Sequence, residues 1–207
     1  MKKFLLSIIL VILSLSFGIV AEAKSYSIER LHIKSWIQPN GDLLVNEVFT
    51  YNFKGSFFNL SRSFPAVHGE NVEGFYAYKL GQLNLEPGFI DQSLMTPLEV
   101  TQEKNTFYTG INIRDQQVSF LYAYTLKNAV TAYDNYNELD VVYFEDGEAH
   151  DQDYFNVTID YIFPETVETN KFEGVLYNIV EGLTEKKILG FDLLLIDPKL
   201  LLKRKLV

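Results

Sequence analysis

The fold is decided by residues 37–53, which read IQPNGDLLVNEVFTYNF. From position 43 onward, apolar side chains recur at almost every second position and alternate with polar ones. This is the pattern of a β-strand with one buried face. The residues just before it include a proline, which presets a turn, and the pair Asn40–Gly41, which favours the positive φ angles of a tight hairpin. The stretch therefore predicts a hairpin turn leading into a half-buried strand.

Working outward, two more rows of alternating apolar side chains lie at 118–126 and 155–163. Weaker strand patterns lie at 27–37, 72–78, 106–113, 139–144 and 174–180. The turn-rich stretch 81–97 is interpreted as an excursion loop. Strands that recur at about 8 to 12 residues with turn signals between them are typical of a sandwich. We therefore predict an all-β chain in which 24–180 forms an antiparallel immunoglobulin-like β-sandwich of about eight strands.

The first 23 residues have the layout of a secretory signal peptide. Two lysines follow the initiator, positions 4–20 are almost continuously apolar, and an Ala-Glu-Ala sequence ends at Ala23. We predict a signal helix over 1–23 that is cleaved after Ala23, so that the rest of the chain is exported. The alternative is a retained membrane anchor, because the apolar run approaches the roughly 20 residues that span a bilayer.

The composition argues against several functional classes. The 207 residues include no cysteine, which excludes a disulfide framework, a zinc knuckle and a thiol nucleophile. With 27 acidic and 18 basic residues the formal net charge is −9. Nucleic acid is therefore not an expected partner, since its binding depends on neutralising phosphates. Segment 128–170 contains no Lys or Arg, which favours cations or basic partners.

Three short blocks of sequence carry a resemblance to a known family. The first is IQPNGDLLVNE at 37–47, with YNF at 51–53 and RSFP at 62–65. The second is YAYTLKNAV at 122–130 with YDNYNEL at 133–139, and the third is NVTI at 156–159 in a strand ending at Pro164. In this order they resemble the domain of unknown function 2207, a family of predicted bacterial membrane proteins.

The resemblance implies an extracytoplasmic β-sandwich that family members tether to the membrane through later helices, with no established activity. After Lys171 the resemblance fades. The apolar segments at 191–196 and 200–202 are interrupted by charges and a proline, so they are not expected to cross a bilayer. We expect 181–207 to be a short C-terminal extension, truncated relative to the family. A short secreted form is the alternative.

Glu47 is the most informative single residue. It stands in the apolar phase of its strand, between Val45 and Phe49. An unpaired charge at such a position would cost several kcal/mol. We therefore predict a structural ion pair between Glu47 and Arg62, with a ligand-binding role of the same two side chains as the alternative.

Aromatic and histidine residues give weaker signals. Tyr133 and Tyr136 fall outside the strand alternation and are predicted to be exposed, possible ligand-facing aromatics. His32, His68 and His150 are far apart in sequence and lack the spacing of metal ligands. We interpret these histidines as solvated or as lying at the edge of the core.

The acidic run at 145–153 is the most chemically suggestive segment. Glu148, Asp151 and Asp153 offer oxygen ligands of the kind that calcium prefers. The run lacks the later bidentate glutamate of an EF-hand, so a solvated acidic loop is the favoured interpretation. No metal and no cofactor are expected.

No catalytic signature occurs in the chain: there is no G-x-S-x-G elbow and no glycine-rich phosphate loop. We predict a non-catalytic, exported domain of the cell envelope that binds an envelope protein or polymer. Membrane association is expected through an uncleaved N-terminal helix or a missing C-terminal region. The alternative is a carbohydrate-active hydrolase or carbohydrate-binding module using exposed tyrosines and acids, and a degenerate remnant without activity is the third hypothesis.

Overall fold

In a computed structural model of the chain, residues 24–65, 71–134, 137–139, 141, 143 and 157–163 are described. These residues are all-β apart from a 3-10 turn at Gln92–Leu94, which confirms the predicted fold class. The strands are β1 (Ser25–Ile37), β2 (Leu43–Lys54), β3 (Ser56–Ser63), β4 (Val72–Leu80), β5 (Met95–Pro97), β6 (Val100–Glu103), β7 (Thr106–Arg114), β8 (Gln117–Leu126), β9 (Val130–Ala132), β10 (Asn137–Leu139) and β11 (Val157–Ile162).

Six strands form the larger sheet, in the order β11-β1-β2-β8-β4-β5. The predicted hairpin is formed by β1 and β2. Its turn uses Gly41 alone at positive φ, 85°, rather than both residues of the Asn40–Gly41 pair. The Gln38 amide donates to the Asp42 carbonyl oxygen at 2.8 Å, which closes a turn longer than a two-residue hairpin.

One pairing in this sheet corrects the prediction of a purely antiparallel fold. β11 lies parallel to β1, with Val157 opposite Leu31 and Ile162 opposite Trp36. Parallel neighbours need a long connection between them, and the more than one hundred residues from β1 to β11 provide one. The alternation within a strand carries no information about the direction of its neighbour, so the sequence pattern could not show this.

The smaller sheet, in the order β3-β7-β6, packs on one face of the larger sheet, and β9 pairs with β10 in a separate ribbon. The shared core is aromatic. Phe75 of β4 stacks on Phe107 of β7 with ring centroids 4.3 Å apart, and Phe64 contacts Tyr124 edge-on at 4.9 Å. Such pairs add to the stabilisation that comes from burying the rings. The packing of two sheets is thus observed, while the immunoglobulin-like arrangement stays a prediction.

The other face of the larger sheet is covered by residues 81–91, which we call the outer loop. This segment belongs to the predicted excursion loop, whose later part forms the 3-10 turn and β5. Beneath and beside the loop lies a second apolar cluster, made of Val48, Leu80 and Leu121 with Tyr78, Leu85, Ile90 and Met95 packed against it. The loop is therefore packed onto the sheet.

The strand predictions differ in their outcome. Strands β1, β2, β4, β7, β8 and β11 lie where the alternation predicts them, but β3, β5, β6 and β9 were not predicted, so the described strands outnumber the eight or so expected. The strand predicted at 139–144 is wrong in its bounds, since β10 ends at Leu139. The predictions for the signal helix 1–23, the strand 174–180 and the extension 181–207 lie outside the described residues.

Candidate functional site

Glu47 and Arg62 lie together between the two sheets. Glu47 points from β2 into the core with no exposed surface, and Arg62 reaches it from β3 while remaining 5% exposed. The Arg62 Nε donates to Glu47 Oε2 and its Nη2 donates to Oε1, each at 2.8 Å. This two-pronged geometry is the strongest form of an arginine–carboxylate pair. The structure thus brings together the two side chains that the strand phase of Glu47 predicted to meet.

The pair makes further hydrogen bonds with its neighbours. The Tyr124 hydroxyl donates to Glu47 Oε1 at 2.9 Å, and Arg62 Nη2 donates to the Tyr143 carbonyl oxygen at 3.0 Å. The guanidinium also lies over the Phe64 ring, 4.6 Å from its centroid. Burial, followed by the negative charge of Glu47, raises the pKa of Tyr124 well above its ordinary value. The tyrosine is therefore a permanent hydrogen-bond donor to the carboxylate.

A second group of hydroxyls extends from this pair toward the β1–β11 edge. The Tyr143 hydroxyl and the Ser35 Oγ are 2.9 Å apart. Burial raises the pKa of Tyr143 to about 12, and it raises the pKa of Tyr161 well above its ordinary value. Protonated phenols of this kind are poor bases and poor nucleophiles near neutral pH. The enclosed network joins β1, β2, β3 and β8 through Tyr143, which is a structural arrangement.

A second polar cluster lies on the other face of the larger sheet, where β1 holds the outer loop. We call Arg30, His32, Glu86 and Asp160 the outer cluster. Arg30 donates from Nη1 to the Asn84 carbonyl oxygen at 2.9 Å and from Nη2 to Glu86 Oε1 at 2.6 Å. His32, which is 5% exposed, lies between two carboxylates. Its Nδ1 is 2.7 Å from Glu86 Oε2, and its Nε2 is 2.7 Å from Asp160 Oδ2. One imidazole thus connects the outer loop to β11.

Arg30 and His32 together hold the Glu86 carboxyl group. The Arg30 Nη2 also lies 3.2 Å from the His32 Nδ1, so the guanidinium, the imidazole and the carboxylate form one cluster. Burial alone would raise the pKa of Glu86, but the Arg30 hydrogen bond and the charges of His32, Arg30 and Lys34 together hold it below its ordinary value. The loop is therefore held by an ionised Glu86 facing cationic partners.

The outer loop presents an apolar side chain to solvent. Phe89 is fully exposed, whereas most large apolar residues of the described chain are buried. The loop backbone just before it lies over β1 and β2, since the Asn46 Nδ2 donates to the Pro87 carbonyl oxygen at 3.3 Å. Asn46 is paired with Lys34 across the two strands, and the next pair on the same face is Trp36 with Leu44. Trp36 is partly exposed and Leu44 is 43% exposed. We call Trp36, Leu44 and Phe89 the outer aromatic patch.

Residues 27–188 match the family model described as the N-terminal domain of a predicted membrane protein, domain of unknown function 2207 (DUF2207). The chain belongs to this family. The resemblance read from three short blocks is confirmed. Within the part of this DUF2207 chain that the structure describes, no helix is long and apolar enough to cross a bilayer.

Similar solved structures include M1 zinc metallopeptidases. One, a two-domain mutant bound to L-tryptophan, shares 8% identity over 55% of this chain and 23% of its own, with a TM-score of 0.37. Another, from Deinococcus radiodurans, shares 9% identity over 51% of this chain and 21% of its own, with a TM-score of 0.34. The DUF2207 chain thus covers under a quarter of either structure, and these TM-scores support no inference. Comparison with curated proteins found no match.

The structure locates only some of the residues predicted to form sites in this DUF2207 chain. Tyr133 follows β9 and is 48% exposed. Its predicted neighbour Tyr136 and the calcium candidates Glu148, Asp151 and Asp153 lie outside the described residues, as do His68 and His150. Those site predictions stay predictions.

The sequence did not predict two features of this face: the position of His32 and the exposure of Phe89. His32 was interpreted as a solvated or edge-of-core histidine, and the structure places it between two carboxylates, buried by the loop. The exposure of Phe89 was not predicted. An isolated aromatic residue beside Pro87 and Gly88 in a turn-rich segment is nevertheless a usable signal of an exposed loop tip.

Proposed function

We propose that this DUF2207 domain is a non-catalytic binding domain whose contact surface is the outer aromatic patch. The observation that carries the proposal is the fully exposed Phe89, on a loop that β1 and β2 hold in place. Exposing such a side chain has no benefit for folding, because burial of a phenylalanine stabilises a protein by about 1.5–3 kcal/mol. Exposed aromatics on ordered loops are typical anchors of binding surfaces.

The pairing of the polar groups supports a non-catalytic role. Glu47 and Arg62 satisfy each other inside the core and are closed to a substrate. The carboxylates of the outer cluster are each engaged by a neighbouring side chain, Glu86 by Arg30 and Asp160 by His32. A general acid or base needs a free proton-transfer position and a pKa near the working pH. Glu47, Glu86 and Asp160 are engaged in side-chain pairs instead.

We also propose an exported location in the cell envelope. The family description, a predicted membrane protein, supports membrane association, and the basic-apolar-small layout of 1–23 supports export by a signal peptide. The packed sheets support an immunoglobulin-like sandwich as the exported domain. The envelope protein or polymer that it contacts would be recognised through apolar contact with Phe89 and Trp36.

Hydroxyl-radical footprinting of the full chain mixed with isolated bacterial envelopes tests the binding surface directly. We expect oxidation of Phe89 and Trp36 to fall when envelopes are present. Phe58, which is 65% exposed on the smaller sheet, is the matched reference and should be oxidised equally with and without envelopes. Equal oxidation of Phe89 in both samples would contradict the proposed surface. N-terminal sequencing of the exported chain tests the location, with Lys24 expected as the first residue.

A further inference from the structure

We propose that the outer aromatic patch docks onto the surface of a lipid bilayer. This inference rests on the proposed function and names the partner of the same surface. Two observations carry it: the composition and size of the patch, and the pairing of nearby charges.

The composition of the patch suits the interface between lipid and water. Tryptophan is enriched at that interface because its ring is apolar while its N–H remains hydrated. Lys34 lies beside it, with its Nζ 5.9 Å from the centroid of the Trp36 ring. A lysine at this depth extends its ammonium toward phosphate groups while its methylene chain covers apolar surface. Phe89 would supply the side chain that enters the acyl region.

The size of the patch favours a bilayer over a folded protein. An aromatic side chain presents about 150–250 Å², so one fully exposed phenylalanine with partly covered Trp36 and Leu44 offers at most roughly 400 Å². A stable protein interface uses about 800 Å² per partner. Membrane insertion requires only a few apolar side chains on an ordered loop. A fixed loop also loses little conformational entropy when it binds.

Charge pairing permits this face to approach anionic lipid although the whole chain carries a net charge of −9. Glu86 is paired with Arg30, and Asp160 lies against the His32 imidazole. Asp91, two residues after Phe89 in the outer loop, accepts a hydrogen bond from the Ser93 amide. Lys34 adds a positive charge. This pairing therefore reduces the repulsion between this part of the surface and phosphate groups.

The chain contains one tryptophan, so Trp36 fluorescence reports on the patch alone, even if residues 4–20 also enter the bilayer. The test adds vesicles of phosphatidylcholine and phosphatidylglycerol to the full chain. We expect a blue shift of the Trp36 emission and quenching by brominated lipid. Phe89→Ser should weaken the vesicle-dependent change about tenfold, which corresponds to about 1.4 kcal/mol. Phe58→Ser removes an equally large exposed ring from the smaller sheet and should leave the signal unchanged.

The proposal is overturned if Trp36 emission is the same with and without vesicles, or if Phe58→Ser weakens the response as much as Phe89→Ser does. A third outcome separates this inference from the proposed function. If envelopes protect Phe89 from oxidation while pure lipid vesicles leave Trp36 unaffected, the patch binds a protein or polymer, and lipid docking is excluded. Far-ultraviolet circular dichroism of each variant verifies that it is folded.

Discussion

Replacing Glu47 by alanine should destabilise the protein by about 3–5 kcal/mol, the usual cost of removing one partner from a buried ion pair. The structure supports a value in this range, because Glu47 has no exposed surface and accepts two hydrogen bonds from Arg62 and one from Tyr124, all at 2.8–2.9 Å. The substitution removes the bidentate carboxylate from the Arg62 guanidinium, which is itself only 5% exposed. Most of the cost is therefore the penalty of the charge that remains.

The same reasoning makes a sharper prediction for the double replacement Glu47→Met with Arg62→Met. This variant buries no charge, and apolar residues of similar volume often replace a buried ion pair at little cost or with a gain. The double variant should therefore be more stable than either single variant. The Tyr124 hydroxyl loses its acceptor in all three, which leaves a residual cost of about 1–3 kcal/mol.

Urea denaturation followed by Trp36 fluorescence measures these differences. Arg114→Ala is the control, because that arginine forms an exposed pair with Asp115 and should change stability by less than about 0.5 kcal/mol. Two results would refute the reasoning: a Glu47→Ala midpoint equal to that of the wild type, or a double variant whose loss equals the sum of the single losses.

Three further predictions concern other parts of the fold. The hydrogen bond from Lys127, helped by a backbone amide, lowers the pKa of Asp42. The ionised Asp42 therefore stabilises the fold above the unfolded pKa of about 3.9, and this stabilisation is lost as the pH falls through the lower folded pKa. Urea midpoints measured below about pH 4 should therefore fall less steeply for Asp42→Asn than for the wild type. Glu86→Gln should speed amide hydrogen exchange in the outer loop while leaving the global urea midpoint unchanged, since the carboxylate is largely exposed. Gly41→Ala should lower the free energy of unfolding by about 1–3 kcal/mol, because φ is 85° and a Cβ would lie 3.1 Å from a β9 carbonyl oxygen. Gly110→Ala is the milder comparison, because a Cβ there would meet open space.

The sequence predicted what depends on neighbouring residues. Alternation at 43–53 predicted β2, because one face of that strand is buried and the other is not. The same alternation identified Glu47 as a charge on the buried face and so predicted that it needs a partner. β3 was missed because its pattern is broken by an irregularity between Phe57 and Asn59. Strands of three or four residues, such as β5 and β6, are too short to show a period.

The outer cluster could not be predicted from the sequence because its members are distant from one another along the chain. Glu86 meets His32 across more than fifty residues, and Asp160 meets the same ring across 128. Nothing in the local pattern of β1 indicates which charges will cover it. The parallel pairing of β11 has the same origin, since register and direction between distant strands are set by packing and not by composition.

The Glu47–Arg62 pair is buried, whereas Glu86 of the outer cluster is largely exposed. The first therefore affects the stability of the whole fold, and the second affects only the loop that carries the proposed binding surface. The pair of Glu47 and Arg62 is enclosed and shielded from salt, so it contributes to the global free energy of unfolding. Glu86 is 66% exposed, so its attraction to Arg30 is screened by water and ions and holds only the outer loop. Changes at Phe89 therefore carry little cost for the core, because the side chain contributes no buried area. A surface with these properties can vary in chemistry while the sheets beneath it remain the same, as expected for a loop that carries function on a rigid scaffold.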